Sequence, residues 1–372
     1  MLPVLSRVFN KSLALNLNLN LPMKKTIYHK IKNWESWPFK VLYTPMAIFW
    51  LWYIIRSGAV WFFTPSNPRL TFGGMEGEPK KEMYNLLDKK LYPPTFTILP
   101  TESLAILKEK LLLHKINYPF IVKPEIGGQG ILLRKINNET ELATYHKIMQ
   151  WEYIVQQLVE YPMEVSVFYI RHPKNDTGII TGFLQKIPLQ VIGNGYDTLE
   201  KLIEKHSKGH KLLDRLYSKH FQNWKKVIDL GEKYLLSDAA NHNRGAQFID
   251  LKNEIDQNLV GVFDKISSAG NQFYYGRYDI MCTNVQDLKA AKNFSILEYN
   301  GCGAEPNHFY DTGYTLLQAY KEILKHWKAL YEISKYNKSL GFEPWPFKKG
   351  KKFLTHSRNL TTQMKAIDLK IN

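Results

Sequence analysis

The chain has 372 residues, with 50 Lys+Arg against 34 Asp+Glu and a formal net charge of +16. Its 44% hydrophobic and 23% charged fractions are those of a globular protein, which excludes wholesale disorder and leaves room for two or three domains. Two cysteines, Cys282 and Cys302, exclude a disulfide framework, and the basic excess points to an anionic partner without choosing its kind.

Residues 1–64 form a basic and hydrophobic N-terminal extension with eight Lys/Arg and one acid, Glu35. Residues 1–22 carry a Leu-Asn repeat and no acid, and read either as a targeting peptide or as an over-extended start before Met23. Residues 41–55 are uncharged and apolar, and Arg56 separates them from GAVWFFTP. A spanning helix needs about 20 apolar residues. Two readings of 41–63 therefore stand: an interfacial or re-entrant anchor on the inner face of the cytoplasmic membrane, or a helix and strand covering the core.

Residues 65–114 read as a Gly/Pro-rich linker and a short region before the main body, with one helix at 81–87. Strands are expected at 96–99, 119–123, 130–136, 153–157, 164–170 and 179–187, with helices at 103–114 and 139–149. In the strand at 164–170, Val165, Val167 and Tyr169 are expected to share the buried face. Asp197 and Glu200 have capping spacing ahead of a helix, and a second amphipathic helix covers 255–266. Strands at 275–282 and 294–299 are expected to pair across a polar loop, and a long helix runs through 316–331. Residues 337–372 read as a basic tail; with the N-terminal extension it holds most of the net charge, so no nucleic acid partner is expected for the body.

Three segments carry chemistry. In FIVKPEIGGQG, Lys123 ends a strand and Gly127, Gly128 and Gly130 follow around Gln129. Glycines let backbone N–H groups approach phosphate oxygens, and the lysine adds a point charge; the bland alternative is a hairpin turn. In GRYDI and FSILEYNG, Arg277 and Asp279 share one strand face, and Glu298 and Asn300 share another. Pairing those strands would gather two carboxylates and an amide oxygen, donors that suit Mg²⁺, beside an arginine that suits a phosphoryl group. In IVQQLVEYPMEV, a connection between strands offers backbone groups to an adenine edge, and Glu164 a carboxylate to ribose.

Together and in this order, the segments resemble the ATP-grasp superfamily over roughly residues 95–336, with the closest likeness to D-alanine–D-alanine ligase-like and cyanophycin-synthetase-like bacterial enzymes. VIGNGYDTLEKLI resembles a segment of those ligases, with Asn194 where Asp is usual, and NHNRGAQFID resembles the loop before their metal strands. The resemblance implies an α+β fold whose two subdomains, each with an antiparallel sheet, clamp ATP, with 115–336 as the ATP-grasp domain. It implies ATP contacts from Lys123, Gly127, Gly128, Gln129, Gly130, Gln157, Leu158, Val159, Glu164 and Lys186. It implies Mg²⁺ at Asp279, Glu298 and Asn300, with Arg277 and Arg244 serving the transferring phosphate or a substrate carboxylate. His308 and His242 stand near the expected substrate mouth, and Cys302 reads as a packing residue. The activity implied is a Mg-ATP-dependent ligation of a small-molecule carboxylate to an amine through an acyl phosphate; a small-molecule kinase and a silent ATP-binding protein are the alternatives. GCGAEP after Asn300 departs from the dipeptide ligases, which puts D-alanine in doubt as a substrate.

Overall fold

The computed structural model describes residues 34–371 apart from 129, 238–239 and 268–271. The expectations for the first 22 residues and for Met23 lie outside the described residues. After the 3-10 turn Trp34–Ser36, the described residues form α1 (Phe39–Tyr43) and α2 (Ala47–Ser57), and α3 (Lys80–Leu86) precedes the first sheet.

The first sheet holds β1 (Thr95–Ile98), β2 (Phe120–Pro124), β3 (Arg134–Ile136) and β4 (Tyr153–Gln157), in the order β1-β4-β2-β3, all antiparallel. Two helices cover it, α4 (Leu104–Leu113) and α5 (Glu139–Ile148). Each starts where a side chain caps a backbone N–H: Ser103 accepts from Ile106 and Asn138 from Glu141. The strand expected at 130–136 begins only at Arg134, because residues 130–133 form tight turns closed by Ile131 N to Gly128 O and Leu133 N to Gly130 O.

The second sheet is built on β5 (Met163–Ile170) and β6 (Ile179–Ile187). A side hairpin of β7 (Gln190–Ile192) and β8 (Lys233–Leu235) carries α6 (Leu199–Lys205) and α7 (Leu213–His220) around its own small core. Then follow β9 (Gln247–Asp250), α8 (Gln257–Ile266), β10 (Tyr275–Cys282), α9 (Val285–Lys289) and β11 (Phe294–Asn300). The sheet order is β11-β10-β5-β6-β9, again all antiparallel. Two long helices end the chain, α10 (Leu316–Ser339) and α11 (Phe347–Ile371). The fold of the described residues is thus α+β, with two large antiparallel sheets and a two-stranded side sheet.

Four expectations are corrected. The cap of α6 is Thr198, which accepts from Lys201 N; Asp197 instead binds Lys205 and Asn194. The loop between β10 and β11 contains α9, started by Asn284 accepting from Asp287 N. The tail is largely α11, whose Leu360 and Met364 enter the core of the first sheet and whose Asp368 pairs with Arg134 at 2.8 Å. The Gly/Pro-rich stretch is no free linker. Its Phe72 is fully buried, and Gly73 O and Gly74 O accept from Cys302 N and Gly303 N, so FGGM packs under the GCGAE loop.

The second sheet is covered on both faces. Val165, Val167 and Tyr169 pack on Leu259 and Phe263 of α8, whereas Phe168 and Ile170 meet Phe62, Phe63, Phe72, Leu330 and Ile333. That two-sided burial explains the nearly continuous apolar run of β5, where one buried face was expected. It also divides the apolar N-terminal segment. Phe62 and Phe63 are core residues, and burying each stabilises the fold by about 1.5–3 kcal/mol. On α2, Trp50, Tyr53 and Ile54 pack inward, while Ile48, Leu51, Trp52 and Ile55 are exposed. No helix among the described residues is long and apolar enough to cross a membrane.

Candidate active site

The register of β10 and β11 places Asp279 opposite Glu298 and Arg277 opposite Asn300. Directly opposed residues of an antiparallel pair share a face, so the four side chains gather at one place. Asp279 is the electrostatic centre. Its Oδ1 lies 2.9 Å from Lys186 Nζ and 3.3 Å from Arg277 Nε, and Asn300 Nδ2 donates to Oδ2 at 3.4 Å. Burial works against its charge, but Arg277 and Lys186 overcome that and hold the carboxyl well below the usual range. Lys186 also binds Glu164 Oε1 at 3.0 Å, so the residue assigned to ribose is tied to the Asp279 cluster. Glu298 is half-buried, and its carboxylate makes no ion pair among the described residues.

Lys123 approaches from the first sheet. Its ammonium contacts Gln156 Oε1 at 3.1 Å, Tyr84 Oη at 3.2 Å and, across to β11, Leu297 O at 3.4 Å. The two sheets therefore meet one residue from Glu298. Lys80, from α3, donates to Gly127 O at 2.6 Å. Neither lysine has a carboxylate in contact among the described residues; burial lowers the pKa of both, and the field of Glu298 offsets part of that. Glu78 stands nearby, pushed up to about 7 by burial, with Glu298 adding to the rise. Sequence reasoning missed Lys80, Glu78, Tyr84 and Gln156. The signal was weak: EGEPKK sits in a Gly/Pro-rich stretch, and Tyr84 lies on a short helix.

The glycine loop joins β2 to β3 as a hairpin turn, and Gly127 (φ +142°) and Gly130 (φ +67°) need backbone conformations that favour glycine. Gln129 lies outside the described residues. Gln157, Leu158 and Val159 lie where the chain passes from β4 to β5, between the two sheets. Gln157 is used structurally: its Oε1 accepts from Asn117 N at 2.9 Å and its N–H donates to Pro94 O. Arg244 ends the 3-10 turn His242–Arg244 before β9, three strands from β10 in the sheet. His242 stacks on Tyr310 with ring centroids 4.2 Å apart. His308 is not at a mouth; it is buried and faces Glu322 and His326. Asn194 makes a local turn, accepting from Tyr196 N and Asp197 N. Cys302 is buried packing. Glu305, also missed, accepts from Tyr43 and Tyr310 hydroxyls at 2.9 Å each, and its backbone oxygen accepts from Arg277 at 3.1 Å.

No family model matches the chain. It is similar to the glutathione biosynthesis bifunctional protein GshAB of Clostridium perfringens, 26% identical over 137 residues, 32% of this chain and 18% of that protein. The match thus spans less than a fifth of the relative's length. Among solved structures, it is similar to a bifunctional glutathione synthetase from Pasteurella multocida (TM-score 0.36, 14% identity, 66% of this chain and 35% of that one). A D-alanine–D-alanine ligase from Bacillus anthracis complexed with ATP gives a TM-score of 0.40 at 14% identity over 70% of this chain and 68% of that one.

Proposed function

We propose that this chain is a Mg-ATP-dependent ligase that joins a small-molecule carboxylate to an amine through an acyl phosphate. One observation carries this: two lysines meet at the junction of the sheets, Lys123 buried and Lys80 half-buried, with no carboxylate in contact among the described residues, beside a carboxylate pair, Asp279 and Glu298. A buried cation without a counter-ion is costly, and an anionic ligand removes the cost.

The donor set fits the group. Asp279, Glu298 and Asn300 offer hard oxygen ligands on one face, and Glu298 makes no competing ion pair among the described residues. Bound Mg-ATP supplies the phosphoryl group that activates the carboxylate. Lys80, Lys123 and the Gly127–Gly130 backbone would hold the phosphates. The connection at Gln157, Leu158 and Val159 would face the base, with Glu164 and Lys186 between base and metal. Arg277 on β10, and Arg244 from the turn before β9, would balance charge as two anions approach, which at 4 Å and an effective dielectric of about 20 repel by about 4 kcal/mol per pair of unit charges. Residues 115–336 would form the ATP-grasp unit, with the flanking segments packed on it.

The test is incubation with Mg-ATP, a pool of carboxylic metabolites and hydroxylamine, with Glu298→Gln as the blank. Hydroxamate, ADP and phosphate that are absent from the blank are expected. ADP with a phosphorylated acceptor and no hydroxamate would replace the ligase with a kinase. Binding of ATP without turnover of any acid would leave a silent binder.

The exposed row Ile48, Leu51, Trp52 and Ile55 supports a further part of this reading, that α2 rests on the cytoplasmic face of a lipid bilayer. Lys40 and Arg56, both exposed, flank the row and suit anionic headgroups.

A further inference from the structure

Away from this site, α10 buries a second constellation. Glu322 and His326 are four residues apart on the helix and share a face. His308 reaches them from the 3-10 turn Asn307–Phe309. The three residues are 9%, 1% and 5% exposed. His308 Nε2 and His326 Nε2 each lie 3.4 Å from the same oxygen, Glu322 Oε1. Neither contact has hydrogen-bond geometry. Both nitrogens, and His308 Nδ1, are buried polar atoms without a partner. Leaving each unsatisfied costs about 1–3 kcal/mol, so two that converge on one carboxylate oxygen, His308 Nε2 and His326 Nε2, need a reason.

We propose that His308, Glu322 and His326 bind a Zn²⁺ ion that staples the turn at 307–309 to α10. The spacing is that of ligands rather than of a hydrogen-bonded triad. Ligand atoms about 2.0–2.2 Å from zinc at tetrahedral angles stand about 3.3–3.6 Å from one another. The three ligand atoms all lie within 4.8 Å of one another, and the two shared contacts are 3.4 Å. Two imidazoles and one carboxylate favour zinc over the hard cation Mg²⁺. The surroundings are those of a metal site. His326 Nδ1 lies 3.4 Å from Tyr275 Oη, which orients its Nε2 toward the ion. Lys325 takes the other carboxylate oxygen, Glu322 Oε2, at 3.0 Å. Phe168 stands edge-on to His326 at 4.4 Å, an apolar wall. Gly182 makes room for the third ligand, since a Cβ there would lie 2.3 Å from His308 Nδ1. The staple would anchor the loop whose Glu305 carbonyl holds Arg277. This site does not depend on the ligase reading.

The full chain is purified without chelator and its metal content measured by mass spectrometry. About one zinc per chain is expected, retained by Glu298→Gln and lost by His308→Asn/His326→Asn. Co²⁺ added to chelator-stripped wild type should give the visible absorption of a tetrahedral site, displaced by Zn²⁺ and not by Mg²⁺. Tyr275→Phe should weaken Zn²⁺ about tenfold. Should the double variant fail to fold, the wild-type Co²⁺ spectrum decides alone. No zinc after loading and dialysis, with no Co²⁺ absorption, would overturn the proposal and leave a proton-sharing His–Glu–His cluster.

Discussion

Tyr43, in the apolar N-terminal segment, donates a 2.9 Å hydrogen bond to Glu305 Oε1 in the loop that follows Asn300. Glu305 in turn holds Arg277 through its backbone oxygen at 3.1 Å. The segment is therefore wall as well as surface. Trp34, Leu42, Met46, Phe62 and Phe63 are buried, so removing it would strip the core and the support of Arg277 together.

For that reason the membrane reading is tested on the outer face of α2 and not by truncation. Replacing Ile48, Leu51, Trp52 and Ile55 with serine should leave the melting temperature close to that of wild type, because these side chains already face outward. Wild type should float with anionic vesicles in a density gradient, and the quadruple variant should stay in the load. Wild type remaining in the load would remove the bilayer as the partner of this face.

Lys123→Met separates stability from binding. The ammonium is buried at a cost, and most of its neighbours satisfy one another: Tyr84 Oη donates to Leu297 O at 2.7 Å, and Gln156 Nε2 donates to Tyr84 at 2.9 Å. Ligand-free Lys123→Met should stay within about 1–2 kcal/mol of wild type. Saturating Mg-ATP should stabilise wild type by about 2.7 kcal/mol at a hundred times Kd and leave the variant unmoved. An equal ATP-induced shift in both proteins, followed by calorimetry, would take Lys123 out of the phosphate site.

Glu78 makes stability depend on pH. Its folded pKa, about 7, lies above the ordinary carboxylate value of 4.5. The folded protein keeps a proton that the unfolded chain has released, so this contribution is fully present below pH 4.5 and is lost as pH rises through 7. The loss is about 3 kcal/mol, from about 1.4 kcal/mol for each unit between the two values. Denaturant titrations from pH 4 to 8 should show it in wild type, and the difference from Glu78→Gln should isolate it. Parallel profiles for the two proteins would mean that Glu78 ionises normally.

Two glycines should respond in opposite ways to alanine. Gly74 has φ +73°, and a Cβ there would lie 2.8 Å from Gly301 Cα, a backbone atom. Gly74→Ala should lower stability by about 2 kcal/mol or more, measured by thermal melting. At Gly128 a Cβ meets no described atom within 4 Å, so Gly128→Ala should change stability by less than about 0.5 kcal/mol. It should weaken ATP instead, if that loop cradles phosphate. A stable Gly74→Ala would deny the tight contact between FGGM and GCGA.

Much of the site was legible because it rests on period-two geometry. Arg277 and Asp279, and Glu298 and Asn300, are two apart on strands, so pairing alone was enough to gather them, and the register does so. The strands and helices of the body were legible from periodicity and capping for the same local reason, as at Ser103 and Asn138. What local pattern could not carry is contact between distant segments. Lys80 meets Gly127, Tyr43 meets Glu305 and Gly73 meets Cys302 only after both sheets have formed. The sequence by itself determined which residues alternate, cap and turn, since those are set by neighbours along the chain. Tertiary structure alone decided which charges are desolvated, because burial depends on what packs from elsewhere, as with Lys123 under Tyr84 and His308 against α10.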